Sequence, residues 1–151
     1  MSAVVGYVAI SNIPTLSVNT LCGEWSLSKV KLYQLLNAME QAHIIRIIRK
    51  KSDTRVHSVG AKIFLYEPSI YSHFAENPGN GREAYVAGSS IESGHKVYAS
   101  TDEEAYDFLI DDLKVEVGGK KKQSKNADFV VRDNLDLPSG NSIPMWLLGL
   151  R

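Results

Sequence analysis

Apolar positions follow a helical period early in this chain and shift to short, β-branched runs later. Residues 1–11 form a short apolar segment, stopped by Asn12-Ile-Pro14. Ser17 or Asn19 is placed to cap a brief helix through Trp25, because either side chain accepts hydrogen bonds from the free N–H groups of a first turn. Ser26 or Ser28 offers a second start. After it, Leu32, Leu35, Leu36 and Met39 recur at helical spacing and make one apolar stripe. The opposite face presents Val30, Gln34, Asn37 and Gln41, with Lys31 and Tyr33 toward its flanks.

The run Ile44-Ile-Arg-Ile-Ile-Arg-Lys50 alternates poorly but is rich in β-branched residues, which predicts a strand. A polar stretch, residues 51–60, separates it from a second strand, Lys62-Ile-Phe-Leu-Tyr66. With residues 1–11 as the first helix, this order of helices followed by a two-stranded hairpin with a basic tip is the winged-helix arrangement. The third helix is then the recognition helix and residues 50–60 are the wing. On that reading Gln34, Asn37 and Gln41 face base edges, where Asn and Gln can bond adenine bidentately. Lys31, Lys50, Lys51 and Arg55 complete the nucleic-acid contact, the wing residues by meeting phosphates.

Glu67-Pro68 ends the second strand, since proline cannot donate to a ladder. Residues 70–75 read as a short helix, and Asn77-Pro-Gly-Asn-Gly81 as a loop or domain junction. A further helix starts at Arg82. Strand-like runs follow at 95–99, 106–110, 115–117 and 127–131, predicting one helix leading into a mixed sheet of three or four strands. The closing run, Ile143-Pro-Met-Trp-Leu-Leu-Gly-Leu150, is apolar enough to require burial. The fold class expected is therefore α+β, with a winged-helix domain over residues 1–68 and a small α/β domain over 69–151.

At 151 residues, 44% of them hydrophobic, the chain can bury a sizeable core. No apolar run approaches the roughly 20 residues that span a bilayer, and the apolar start lacks the basic leader of a secretory signal. Cys22 is the single cysteine, so an intrachain disulfide and a cysteine-based zinc site are both excluded. A cytoplasmic setting without a membrane partner is expected. The net charge of zero hides a split: residues 1–60 hold seven basic and three acidic residues, and residues 61–151 hold ten and fourteen. Such asymmetry points to different partners for the two halves, with nucleic acid a candidate for the basic one.

The second half also carries candidate chemistry. Asp107 opens one apolar run, Glu116 sits inside the next, Lys120 follows it, and Glu83 lies on the preceding helix. Nucleases of the PD-(D/E)xK type, with a restriction-endonuclease-like α/β domain, place two carboxylates and an ammonium at one end of a sheet in this way. There Asp107 and Glu116 would hold Mg²⁺, a hard cation that takes oxygen ligands, and Lys120 would orient water or neutralise charge developing at phosphorus. With Gly118-Gly119 between them, Lys120 follows Glu116 by four positions, twice the usual Glu-to-Lys offset. The same carboxylates also read as ordinary surface and turn residues, since Asp102, Glu103, Glu104, Asp111 and Asp112 crowd the same region. Gly118-Gly119-Lys120 lacks the Ser/Thr and the upstream glycine of a phosphate-binding loop. The four histidines are scattered without metal-ligand spacing.

Several segments together resemble the C-terminal region of bacterial and archaeal AAA-type ATPases that end in an uncharacterised domain. They are residues 32–44, Lys62-Ile-Phe-Leu-Tyr-Glu-Pro68, Gly81-Arg-Glu-Ala84, Asp107-Phe-Leu-Ile110, Glu116-Val-Gly-Gly-Lys120 and Ile143-Pro-Met-Trp-Leu-Leu-Gly149. The resemblance implies a winged helix followed by a degenerate PD-(D/E)xK-like domain, here without the ATPase portion and so stand-alone or truncated. It implies Glu83, Asp107, Glu116 and Lys120 as the nuclease-like site. It also implies double-stranded DNA, an ATPase portion or another protein as partner. The expectation is a non-catalytic DNA-binding or regulatory module that needs no cofactor. The alternatives are a Mg²⁺-dependent DNA nuclease and a protein-interaction adaptor without DNA affinity.

Overall fold

A computed structural model describes residues 2–10, 15, 17–53, 60–74, 78–119 and 126–150. The architecture is mixed α+β. Helices α1 (Ser2–Ile10), α2 (Val18–Glu24) and α3 (Lys29–Gln41) come first. The apolar segment at the start is thus helical. Ser17 precedes α2, but its Oγ pairs with Thr20 Oγ1 at 2.8 Å instead of capping the backbone. Ser28 caps α3, its Oγ accepting from the Lys31 N–H at 3.4 Å. Leu32, Leu36 and Met39 are buried, as their spacing requires.

Strands β1 (Ile45–Ile48) and β2 (Lys62–Leu65) form an antiparallel hairpin with Ile45 opposite Leu65 and Ile48 opposite Lys62. Every residue of both strands is buried. The alternation fails in the sequence because both faces of the hairpin are covered. Register and strand alternation put Ile45, Ile47, Ile63 and Leu65 on one face, and Arg46, Ile48, Lys62 and Phe64 on the other. The second face meets the rest of the chain: Phe64 packs on Phe108 with ring centroids 6.1 Å apart.

A 3-10 turn (Pro68–Ile70) leads into α4 (Tyr71–Phe74). Tyr71 is buried, and its phenolic oxygen accepts from the Leu65 N–H at 2.9 Å. Burial pushes the phenol up to about 12. A raised pKa contributes stability that is complete below the ordinary value of 10 and fades as pH rises toward 12. Tyr71→Phe is therefore expected to flatten part of the alkaline loss of stability, by about 1.4 kcal/mol at about pH 11. Urea unfolding of both chains at about pH 8 and about pH 11 checks this.

Helix α5 spans Pro78–Glu92, which corrects the expectation of a loop or domain junction for residues 78–81; Asn77 lies outside the described residues. Pro78 occupies the first helical position, where its missing N–H costs nothing. The glycines mark close approach rather than a turn. A Cβ on Gly81 would lie 3.2 Å from the Tyr71 Cβ, and one on Gly88 would lie 2.1 Å from an Arg46 guanidinium nitrogen. Small residues let α5 sit against the hairpin and α4.

Five strands follow, more than the three or four expected: β3 (Val97–Ala99), β4 (Phe108–Ile110), β5 (Leu113–Gly118), β6 (Phe129–Arg132) and β7 (Ser142–Pro144). They lie in chain order; β3, β4 and β5 pair antiparallel, and β6 and β7 add in parallel. Asp111 and Asp112, both at positive φ, make a two-residue turn that fixes the β4–β5 register. The Ala99 N–H donates to Arg49 O at 2.9 Å, linking the hairpin to the edge of this sheet. One buried cluster contains Leu36, Phe64, Ala87, Phe108 and Val117, so the core runs through both halves. The closing apolar run is only partly buried. Met145 and Leu148 pack on the core, whereas Trp146 and Leu150 are exposed. Among the described residues no helix is long and apolar enough to cross a membrane.

Candidate functional site: a buried lysine between two carboxylates

Lys62 enters the interior because β2 is covered on both faces and its side chain points toward α5. Its Nζ donates to Glu83 Oε2 on α5 at 2.6 Å and to Asp107 Oδ1 at 3.3 Å. It lies 5.0 Å from the centroid of the Phe108 ring. The Lys62 side chain is 3% exposed, that of Asp107 6% and that of Glu83 14%. Burial alone depresses an ammonium's pKa, but Glu83 and Asp107 outweigh it here and hold Lys62 above the usual lysine range. Lys62 is therefore a fixed positive charge at neutral pH.

Asp107 is held from several sides. Its N–H donates to Val115 O at 3.0 Å and its carbonyl accepts from Ser100 at 3.1 Å. Its Oδ2 accepts from the Val117 N–H at 2.8 Å, so the carboxylate extends the ladder just ahead of the start of β4. One oxygen serves the sheet and the other serves Lys62.

This arrangement does not fit a divalent metal. An ammonium already lies between the carboxylates that a cation would use, and a second cation there would meet like charge at short range. Among the described residues, no three His, Cys, Asp or Glu side chains are grouped to hold a metal ion. Glu116 is buried on β5, level with Val130. Val115 and Val117 on either side of it join the core cluster with Ala84 and Ala87 of α5, so alternation turns Glu116 to the other face of the sheet. Lys120 lies outside the described residues. Of the four nuclease-like residues, the fold thus brings Glu83 and Asp107 to a common partner.

The expected nucleic-acid residues divide in the same way. Gln34, Asn37 and Gln41 are exposed along one face of α3, with Val30 65% exposed on the same stripe and Lys31 exposed beside it. Lys50 folds back at the base of the hairpin loop, where its Nζ would lie 2.6 Å from a Cβ on Gly60. Lys51 pairs with Asp112 on the β4–β5 turn. Arg55 lies outside the described residues. Arg46 and Arg49 are also engaged, with Glu92 at 3.2 Å and Glu40 at 2.8 Å. Part of the charge split is therefore internal complementarity: Arg46 and Lys51 of the basic half each meet an acid of the other.

Lys62 and Arg46 were not singled out by the sequence analysis. The signal was a charged residue inside an otherwise apolar strand, which needs a buried partner. Arg46 lies over the Tyr66 ring at 4.2 Å, and Tyr66 in turn stacks on His43 at 4.6 Å. A cavity of about 380 Å³ opens beside Arg46, Tyr66, Tyr85, Glu92 and Leu148; none of Lys62, Glu83 and Asp107 lines it. Compared with family models, curated proteins and solved structures, the chain has no significant match.

Proposed function

We propose that this protein is a non-catalytic, duplex-DNA-binding or regulatory module, built as a winged helix joined to a PD-(D/E)xK-like domain. It resembles the C-terminal region of AAA-type ATPases. The observation that carries the reading is the stripe Val30, Gln34, Asn37 and Gln41, which no other part of the described chain covers. The stripe combines amide side chains suited to adenine edges with one apolar group suited to a thymine methyl. It lies on the helix immediately before the β1–β2 hairpin, the order in which a winged helix presents its recognition helix and wing. The Lys62 ion pairs support the non-catalytic part of the reading, because they engage Glu83 and Asp107, two of the four nuclease-like residues and one of them an expected metal ligand.

Replacing Gln34, Asn37 and Gln41 together with Ala is expected to reduce duplex affinity about tenfold or more, each lost base contact being worth about 1–3 kcal/mol. Thermal stability should change by less than about 0.5 kcal/mol, since the side chains are exposed. Fluorescence anisotropy with a labelled duplex, beside a melting curve, reads both. Unchanged affinity removes α3 from the interface. Metal-dependent cleavage by the wild-type chain that disappears in Asp107→Asn would replace the reading with the nuclease.

A further inference from the structure

We infer that the Lys62 ammonium is the resident cation of the Glu83–Asp107 pair, filling by covalent attachment the place a divalent metal ion would take. The inference deepens the non-catalytic part of the proposed function and rests on it; it does not depend on DNA contact. Three observations lead to it. Nζ lies between carboxylate oxygens of two different elements, at 2.6 and 3.3 Å. Those oxygens approach from α5 and from the residue that leads into β4, converging on one point that β2 reaches from the hairpin. Every group at that point is at most 14% exposed, so an ion held there is largely shielded from water.

The chemistry of the pair is that of a hard-cation site, since a hard divalent cation is commonly held by one or two carboxylates with water completing its shell. Lys62 supplies one positive charge and three N–H donors on a stem anchored in β2. It therefore satisfies the carboxylates without a soluble ion and excludes one by like-charge repulsion. It also makes the hairpin, rather than metal concentration, responsible for holding α5 and the start of β4 together. Shortening the side chain should vacate the space its stem and ammonium fill, leaving room for a hydrated cation between the same oxygens.

The test uses Mn²⁺ alone, with the full chain. Wild type should show no Mn²⁺-dependent rise in melting temperature and no Mn²⁺ capture by electron paramagnetic resonance. Lys62→Ala should be destabilised without metal, capture Mn²⁺, and regain melting temperature as Mn²⁺ is added. Asp107→Asn in the Lys62→Ala background should lose that response, and Lys62→Arg should show none. Mn²⁺ bound by wild type and lost in Asp107→Asn would overturn the inference. So would a Lys62→Ala chain that folds but ignores Mn²⁺, or one that stays unfolded in its presence. Metal-dependent DNA cleavage by wild type would instead overturn the non-catalytic reading, so the two failures are distinguishable.

Discussion

Lys62→Met is expected to lower the stability of this fold by about 3–5 kcal/mol, the cost of removing one partner from a buried ion pair. Methionine approximates the length of the lysine stem, so little of the loss comes from packing. It comes from leaving Glu83 and Asp107 facing each other where the ammonium held them. The deficit should depend on pH in a defined direction. With Lys62 gone, two buried negative charges repel each other with no ammonium between them, so the gap to wild type should narrow as acid removes that charge. Urea unfolding of both chains at about pH 7 and about pH 5 measures this. A deficit below about 1 kcal/mol at neutral pH would mean that the ion pairs behave as solvent-exposed ones.

Phe64→Ala should cost a similar amount, about 3–5 kcal/mol, through the cavity left where the two halves meet. Phe64 and Phe108 are both fully buried and pack on each other, one from the hairpin and one from the five-stranded sheet. Because the core runs through both halves, the loss should appear in both at once. The chain provides its own reporters: its two tryptophans are Trp25, at the end of α2, and Trp146, in the C-terminal turn. In single-tryptophan versions, Trp146→Phe and Trp25→Phe, the Phe64→Ala change should shift both fluorescence transitions by the same amount. A shift at Trp25 with none at Trp146 would show that the halves unfold independently.

Local pattern was sufficient where one face of an element meets solvent. The stripe of Leu32, Leu36 and Met39, and the exposed stripe opposite, were readable from period alone, and Ser28 was one of two serines able to cap the helix. Period failed where elements are covered on both sides. The two hairpin strands carry no clean alternation, and the two charges on their inner face, Arg46 and Lys62, find partners only through contacts distant in sequence. The residues around Gly81 misled for a related reason. A cluster of Pro, Gly and Asn usually breaks structure, but here the glycines admit neighbouring side chains against a helix. The acidic pair of the candidate site, Glu83 and Asp107, was legible as chemistry. Its partner was not, because the spacing directed attention to Lys120 and the cation comes from the preceding hairpin.

Duplex binding is tested by fluorescence anisotropy of a labelled duplex against the wild-type chain at about 50 and about 200 mM salt, without divalent metal. A measurable affinity that falls with salt is expected, since phosphate contacts release counterions, with the duplex left intact. No binding at the lower salt would contradict DNA contact by α3 and the hairpin. The exposed Trp146 and Leu150 would then become the surface to examine for a protein partner.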